Sequence, residues 1–216
     1  HDEDKEIPVS HDEIIWANNK LKSIIKFYFP LADIHFCLGN HDVILHDCLA
    51  GGPNSDIQRL KNIWLEDNAV DSFDFGGYQS NMISENVKII SINSLYFSKK
   101  NLLVKSCSDS TSPGALQLAW LENELKDAQF HNFKVIIIGH IPPIDAFYYS
   151  DCCELFKDII WRYPNTVTVQ IYGHTHLDDF YILKKSNVPF SFALTAPSVV
   201  PTYNPAYRVY YLDEAN

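Results

Sequence analysis

Several common signatures are missing from this chain of 216 residues, and each absence narrows its class. No apolar run approaches the length of about 18 residues that a membrane span needs. No Ser/Gly-rich linker or solenoid-spaced repeat divides the chain. The N-terminus is neither basic nor apolar, so no signal peptide is visible, but this absence is uninformative because truncation would have removed one. The hydrophobic content of 46% supports one large core. We therefore expect a single domain over residues 1–216 with no transmembrane segment.

Basic residues are also scarce, with 17 Lys and Arg against 27 Asp and Glu and a formal net charge of −10. A nucleic-acid surface needs a basic footprint that displaces counterions, so this balance argues against a nucleic-acid duplex as the partner. Bound metal ions can still make one site locally positive and attract a phosphate.

The five cysteines show neither the C-x-x-C spacing of a zinc site nor a thiol-protease setting. Their odd number leaves at least one cysteine unpaired or paired outside this segment. The N-x-[ST] glycosylation sequence is missing as well, which weakens a secreted location without refuting it.

Apolar periodicity and capping residues predict an α/β fold. The first expected helix begins after Ser10 and ends near Pro30. The other expected helices cover residues 56–65, 115–128 (capped by Ser112, with Pro113 first) and 153–161. The expected strands cover residues 33–38, 87–93, 133–138, 166–172, 180–184, 190–195 and 208–212.

Three short motifs with an initial glycine each follow an apolar strand-like run. They are Gly39-Asn40-His41-Asp42, Gly139-His140-Ile141-Pro142-Pro143 and Gly173-His174-Thr175-His176. Open α/β sheets keep their ligand sites beyond the carboxyl ends of strands, where a glycine lets the chain turn and loop side chains converge. Together the motifs predict most of a two-metal hydrolytic site.

This ordered set resembles the calcineurin-like metallophosphoesterases, whose later motifs are G-N-H-[DE], G-H and G-H-x-H. The chain resembles more narrowly the acid sphingomyelinase-like phosphodiesterases, because a Pro pair follows Gly139-His140 and Leu177-Asp178-Asp179-Phe180 extends the last motif. The runs 196–201 and 204–210 agree with the same group. The resemblance covers residues 33–212 and implies an α/β/β/α sandwich.

The first two motifs of that family, D-x-H and G-D-x-x-D or G-D-x-x-x-H-D, are missing from this sequence. By resemblance they supply an Asp and a His to one metal, and the carboxylate that bridges both metals. We therefore interpret the chain as a metallophosphoesterase domain truncated at its N-terminus, without the first strands, and expect this segment alone to be a poor catalyst. His1 stands where the histidine of the second motif would lie, which makes it a candidate acid catalyst beside His41.

The resemblance implies two divalent ions, zinc with manganese or iron as alternatives. The second ion would bind Asn40, His140 and His174, and the first would bind His176. The amide oxygen of Asn40 is a hard, neutral donor suited to a divalent ion, and the alternative is a turn asparagine with left-handed backbone. Residues two apart in an extended segment face the same side, which would let His174 and His176 reach adjacent ions.

His41 is assigned by the resemblance to donate a proton to the phosphoryl oxygen and the leaving group. Asp42 would orient His41 and raise its basicity, or it would cap the following turn. Two ions about 3.5–4 Å apart would lower the pKa of a bridging water and neutralise the oxyanions of an in-line displacement. No protein nucleophile is then required.

Candidate substrate contacts are Tyr148, Tyr149 and Asn204, which fall on loops after the motif strands. Tyrosines there would stack against a nucleobase or a choline-type group, and ordinary loop packing is the alternative in a chain with 12 tyrosines. Asp178 and Asp179 either contact an imidazole or start a strand. The histidines that match no motif are expected on the surface or in packing: His11, His35, His46 and His131.

These expectations define a divalent-metal phosphodiesterase that cleaves a phosphodiester or phosphoanhydride of a nucleotide, a choline-type head group or a similar small molecule. One alternative is an endopolyphosphatase, which shares the G-N-H/N and G-H-x-H motifs. Such an enzyme would favour a basic groove for its polyanionic substrate, and this chain has few basic residues. The other is a non-catalytic scaffold that lost its metals. Because the resembling family is secreted or lysosomal and disulfide-bonded, we expect one or two disulfides and a secreted, lysosomal or vesicular location.

Overall fold

The computed structural model describes residues 10–65, 71–200 and 204–212 of the chain. The helices are α1 (His11–Tyr28), α2 (Ser55–Trp64), α3 (Asp71–Gly76), α4 (Pro113–Phe130) and α5 (Ser150–Arg162). The strands are β1 (Gln79–Met82), β2 (Val87–Ser91), β3 (Lys134–Ile138), β4 (Val167–Tyr172), β5 (Asp179–Lys185) and β6 (Val188–Thr195). A 3₁₀ turn covers Ser94–Phe97.

The helix boundaries follow from capping residues that satisfy otherwise unpaired backbone N–H groups. The Ser10 hydroxyl accepts a hydrogen bond from Glu13 N–H at 3.2 Å, and the Glu13 carboxylate accepts one from Ser10 N–H at 2.9 Å, which completes a capping box for α1. Ser112 caps α4 by accepting from Ala115 N–H at 3.2 Å, with proline in the first turn. Both caps confirm the sequence-based expectation.

The strands form one sheet in the order β1-β2-β3-β4-β6-β5. The four inner strands β2, β3, β4 and β6 pair in parallel, whereas β1 and β5 pair antiparallel at the two edges. Parallel strands place their carboxyl ends at the same edge of the sheet. The loops that follow β3 and β4 therefore start side by side, and this register positions the candidate site.

The core lies on the sheet and under its helices, as the α/β class requires. All five residues of β2 are buried, and α4 packs against β3 while α5 contacts β5 and β6. The apolar side of α4 includes Leu121 and Leu125, both with no exposed surface. Helix α1 contacts α2. It is also bonded to the loop that carries Asn40, because Nδ2 of Asn18 donates to Oδ1 of Asp42.

Two segments expected as strands, 33–38 and 208–212, are not strands. A strand needs a neighbour for its backbone groups, and within the described ranges neither segment joins the hydrogen-bonded sheet. The sequence pattern also missed α3 and β1, because both are short and lack a clear apolar period.

A disulfide joins Cys107 to Cys152, the third residue of α5. It confirms one of the expected bridges and ties the loop before α4 to the start of α5. Cys37, Cys48 and Cys153 are free thiols. Among the described residues, no helix combines the length and the apolar character that crossing a membrane requires.

Candidate metal-binding site

The neighbouring strands β3 and β4 bring two motif histidines to one place. Gly139 N–H donates to the Ile171 carbonyl at 3.0 Å, and Gly173 N–H donates to the His140 carbonyl at 2.9 Å. These bonds continue the parallel ladder one step past the strands, so the two loops leave the sheet in fixed register. The Nδ1 atom of His174 lies 3.3 Å from Nε2 of His140.

Asn40 completes this cluster from the loop that precedes α2. Its Oδ1 atom lies 2.6 Å from Nε2 of His140, and the residue is only 1% exposed. The three side chains expected to hold the second metal, Asn40, His140 and His174, therefore converge on one point. A common point for three lone-pair donors is the first requirement of a metal site.

The orientation of the Asn40 side-chain amide is fixed by the hydrogen bond that its nitrogen makes. Its Nδ2 group donates to the Asp47 carboxylate at 3.0 Å, and an ionised carboxylate can only accept. The amide oxygen, rather than the nitrogen, therefore faces His140. Asn40 lies in a turn, but it does not have the positive φ of the left-handed alternative.

The surroundings of His140 disfavour the protonated, positively charged form of its own ring. Burial, followed by the electrostatic effect of His174, His41 and His176, lowers the pKa of His140 to about 3. The imidazole is therefore neutral at physiological pH, which is the form that binds metal ions. The same electrostatic neighbours show that all four motif histidines share this region.

The Gly173-His174-Thr175-His176 motif is not extended, which corrects the alternation argument made from sequence. His174 and His176 have left-handed φ values of 71° and 59°. Thr175 N–H donates to the Gly173 carbonyl at 2.8 Å, which makes a γ-turn with His174 at its centre. Left-handed backbone at a non-glycine residue costs about 1–3 kcal/mol and clusters at functional sites. The turn, not a pleat, directs these two side chains.

Gly39 and Asp42 shape the other wall of the site. A Cβ atom at Gly39 would lie 3.2 Å from Nδ1 of His140 and 3.3 Å from Oδ2 of Asp42, so only glycine fits easily there. Oδ2 of Asp42 accepts from Gly39 N–H at 2.9 Å, and its Oδ1 accepts from Nδ2 of Asn18 at 3.2 Å. Burial raises the pKa of Asp42. These contacts show Asp42 bonded back to Gly39 at the start of its own turn and to α1, and not capping the following turn. Its role toward His41 stays a prediction.

The three candidate substrate contacts differ in how exposed they are in the structure. Tyr148 is a correction, because it has no exposed surface and its hydroxyl donates to the Ile141 carbonyl at 2.9 Å inside the core. Tyr149 is partly buried at the start of α5, and Asn204 is exposed. Both stay predictions, and His1 lies outside the described residues.

The two aspartates after the last motif have structural roles. Asp179 is the first residue of β5, and its Oδ1 accepts from Phe180 N–H at 2.7 Å. Asp178 forms an ion pair with Arg208. Of the two readings made from sequence, the start of a strand is thus the one that the structure supports for Asp179.

Sequence reasoning missed two aromatic residues that touch the site. The ring of Phe147 meets the ring of His174 edge-on at 5.1 Å. His46, expected to be a surface or packing residue, has its ring centroid 4.3 Å from that of His41, and its Nε2 lies 3.0 Å from Nδ2 of Asn40. The available signal was that His46 falls six residues after Asn40 in the same short loop.

Within the described ranges, no group of three or more His, Cys, Asp and Glu side chains is arranged to hold a metal ion. The cluster found here contributes two histidines of that set, and its third donor is the amide oxygen of Asn40. Two imidazoles and one amide oxygen form a nitrogen and oxygen donor set that suits a divalent transition metal.

The family model for calcineurin-like phosphoesterases matches residues 10–178, and the chain belongs to that family. Membership implies divalent metal ions as cofactors.

Individual proteins also match the chain in sequence or in fold. The chain is 31% identical over 195 residues to an endopolyphosphatase of Schizosaccharomyces pombe, covering 88% of this chain and 34% of that protein. It is 30% identical over 214 residues to sphingomyelin phosphodiesterase 2 of Caenorhabditis elegans, covering 90% of this chain and 34% of that protein. The chain thus spans about a third of these relatives. The crystal structure of a dimetal phosphatase from Danio rerio shares the fold, with a TM-score of 0.59, 14% identity, and coverage of 89% of this chain and 68% of that one.

Proposed function

We propose that this chain forms the metal-binding part of a hydrolase that cleaves phosphodiester or phosphoanhydride bonds in small molecules with the help of divalent ions. The observation that carries the proposal is the convergence of Asn40, His140 and His174 at the carboxyl ends of β3 and β4. Family membership supports the reaction class.

The residues present fit a divalent ion. Oδ1 of Asn40 and Nδ1 of His174 both lie within 3.3 Å of Nε2 of His140, and His140 is kept neutral by burial. Asn40, His140 and His174 would hold one ion, and His176 would contribute to a second with ligands from the family's earlier motifs. When bound, such ions supply Lewis acidity to the phosphoryl oxygens and lower the pKa of water. Zinc is the ion we propose, on the basis of the donor set.

The chain's own residues would orient the phosphoryl group and move a proton. His41 is exposed beside the cluster, so its ring is accessible to a bound substrate. We assign it the transfer of a proton to the leaving oxygen, which avoids expelling a charged alkoxide. Asp42 holds the backbone turn from which His41 projects.

The comparisons favour a second candidate substrate. The relatives include an endopolyphosphatase at 31% identity and a sphingomyelin phosphodiesterase at 30% identity, so sequence similarity alone does not separate a phosphoanhydride from a phosphodiester. Inorganic polyphosphate is therefore a candidate beside nucleotides and choline-type head groups. A nucleic-acid duplex is disfavoured by the net charge of −10.

The disulfide between Cys107 and Cys152 supports a secreted, lysosomal or vesicular location. Disulfides persist in oxidising compartments and are rare where glutathione keeps thiols reduced.

The test compares hydrolysis of bis-p-nitrophenyl phosphate, a nucleoside triphosphate, sphingomyelin and polyphosphate in the presence of Zn²⁺ or Mn²⁺. This chain and a longer version that carries D-x-H and G-D motifs are assayed, each with His140→Ala and with the control His131→Ala, a residue on the surface after α4. We expect metal-dependent hydrolysis by the longer protein, weaker hydrolysis by this chain, and loss only in His140→Ala. Metal-independent activity, or none on any substrate with metal bound, would contradict the proposal, and the latter would favour the scaffold.

A further inference from the structure

His46 and Asp47 both accept hydrogen bonds from the side-chain amide of Asn40 and form a network with it. Nδ2 of Asn40 donates to Oδ1 of Asp47 at 3.0 Å and to Nε2 of His46 at 3.0 Å. Nδ1 of His46 faces Oδ2 of Asp47 at 3.4 Å. Because an amide nitrogen can only donate, Nε2 of His46 accepts here and the ring proton sits on Nδ1, toward the Asp47 carboxylate. Oδ2 of Asp47 also lies 3.8 Å from Nζ of Lys100.

The network uses both protons of the Asn40 amide group. With both protons engaged, rotating the amide by half a turn would break two hydrogen bonds and place its oxygen against a carboxylate. The only orientation left directs Oδ1 at His140, where it lies 2.6 Å from Nε2. The network therefore selects the side of the amide that can bind a cation.

The backbone adds a second connection between the same two residues. Asp47 N–H donates to the Asn40 carbonyl at 3.2 Å, which closes the loop from residue 40 to residue 47. Asp47 adopts a left-handed φ of 66°, a conformation that aspartate tolerates better than most residues. Asp47 is 8% exposed. A buried carboxylate held in strained backbone is maintained only where its contacts over-determine it.

The ring of His46 also touches the proposed proton donor. Its centroid lies 4.3 Å from that of His41, with an angle of 37° between the ring planes. His46 thus contacts one candidate metal ligand through a hydrogen bond and the candidate acid through a tilted ring pair.

We propose that Asp47 and His46 are positioning residues: Asp47 fixes the Asn40 oxygen toward His140, and His46 links that ligand to the ring of His41. The inference rests on the proposed function, because it concerns the same metal site. Groups that orient a metal ligand typically contribute about 10- to 100-fold to metal affinity.

The test measures binding of Co²⁺ alone to the chain by its visible absorption and by competition with a chromophoric chelator. We expect Asp47→Ala to weaken binding about 10- to 100-fold, and His46→Ala to weaken it less. Asp47→Asn and His46→Gln should recover part of the loss, because each retains an acceptor for the Asn40 amide. A merely structural role would not be recovered in this residue-specific way, and circular dichroism verifies that each variant is folded.

A matched control is His131→Ala, because His131 also pairs with an aspartate, at 3.2 Å, and its side chain is 48% exposed against 44% for His46. Its Co²⁺ affinity should equal that of the unsubstituted chain. If His140→Ala abolishes binding while Asp47→Ala leaves it unchanged, the positioning role is overturned and the metal site stands. If the unsubstituted chain binds no Co²⁺, both the metal site and this inference are overturned.

Discussion

Adding one methyl group at Gly139 should destabilise the protein and loosen the metal site together. A Cβ atom there would lie 2.9 Å from Cγ1 of Ile92 and 2.9 Å from Cε1 of Tyr172. Ile92 is 0% exposed and Tyr172 is 2% exposed, so neither side chain can move into solvent. Gly139→Ala therefore forces β3 away from its neighbours just before His140.

The magnitude follows from two opposing effects. Overpacking of a close-packed core costs about 1–3 kcal/mol, whereas replacing glycine by alanine stabilises by about 0.4–1 kcal/mol through the unfolded state. The expected net loss is about 1–2 kcal/mol in the free energy of unfolding. For a chain of this length that corresponds to a decrease of roughly 2–8 °C in Tm.

Gly173→Ala is the matched control, because it changes the equivalent position before His174 without a steric clash. The nearest atoms to its Cβ would be Nδ1 and the carbonyl oxygen of His140, at 3.6 and 3.9 Å. Urea unfolding and Co²⁺ binding are measured for both variants. Equal stability and equal affinity in Gly139→Ala and the unsubstituted chain would refute the argument from packing.

Three further predictions use other parts of the molecule. His41→Ala in an active, longer version should keep its metal content and lose about 10²–10⁴-fold in turnover, and near-normal rates with a poor leaving group would reassign His41. Replacing Cys107 and Cys152 together by serine removes a bridge across a sequence separation of 45 residues and should cost about 2–4 kcal/mol in denaturant unfolding; reduction of the unsubstituted chain should reproduce the loss. Lys88 donates to Asp127 at 2.9 Å and lowers the pKa of Asp127, so this stabilisation is present above the ordinary carboxyl pKa of about 3.9 and is lost as pH falls through the lowered value. Lys88→Met should therefore flatten the dependence of unfolding free energy on acid pH, and an unchanged slope would contradict the assignment.

Much of the site could be predicted from sequence because strand ends and glycines are local signals. An apolar run followed by Gly139-His140 specifies a strand and a turn at its carboxyl end, and parallel pairing then places His140 beside His174. The caps at Ser10 and Ser112 are predictable for the same reason, since each depends on residues within one helical turn.

Other features depend on backbone paths that periodicity does not encode. The γ-turn at His174 and the burial of Tyr148 are set by tertiary contacts of loops, so an alternation argument failed for the first and a loop argument for the second. The contact of His46 with Asn40 arises because the loop closes on itself through Asp47. Segments 33–38 and 208–212 have strand-like composition, but composition does not supply the neighbouring strand that a ladder requires.

The most direct test of the metal site is an anomalous difference map from crystals of this chain soaked in Zn²⁺. The account predicts a peak at ligand distance, about 2.0–2.2 Å, from Oδ1 of Asn40, Nε2 of His140 and Nδ1 of His174 together. A zinc peak elsewhere, with these three atoms unliganded, would contradict it.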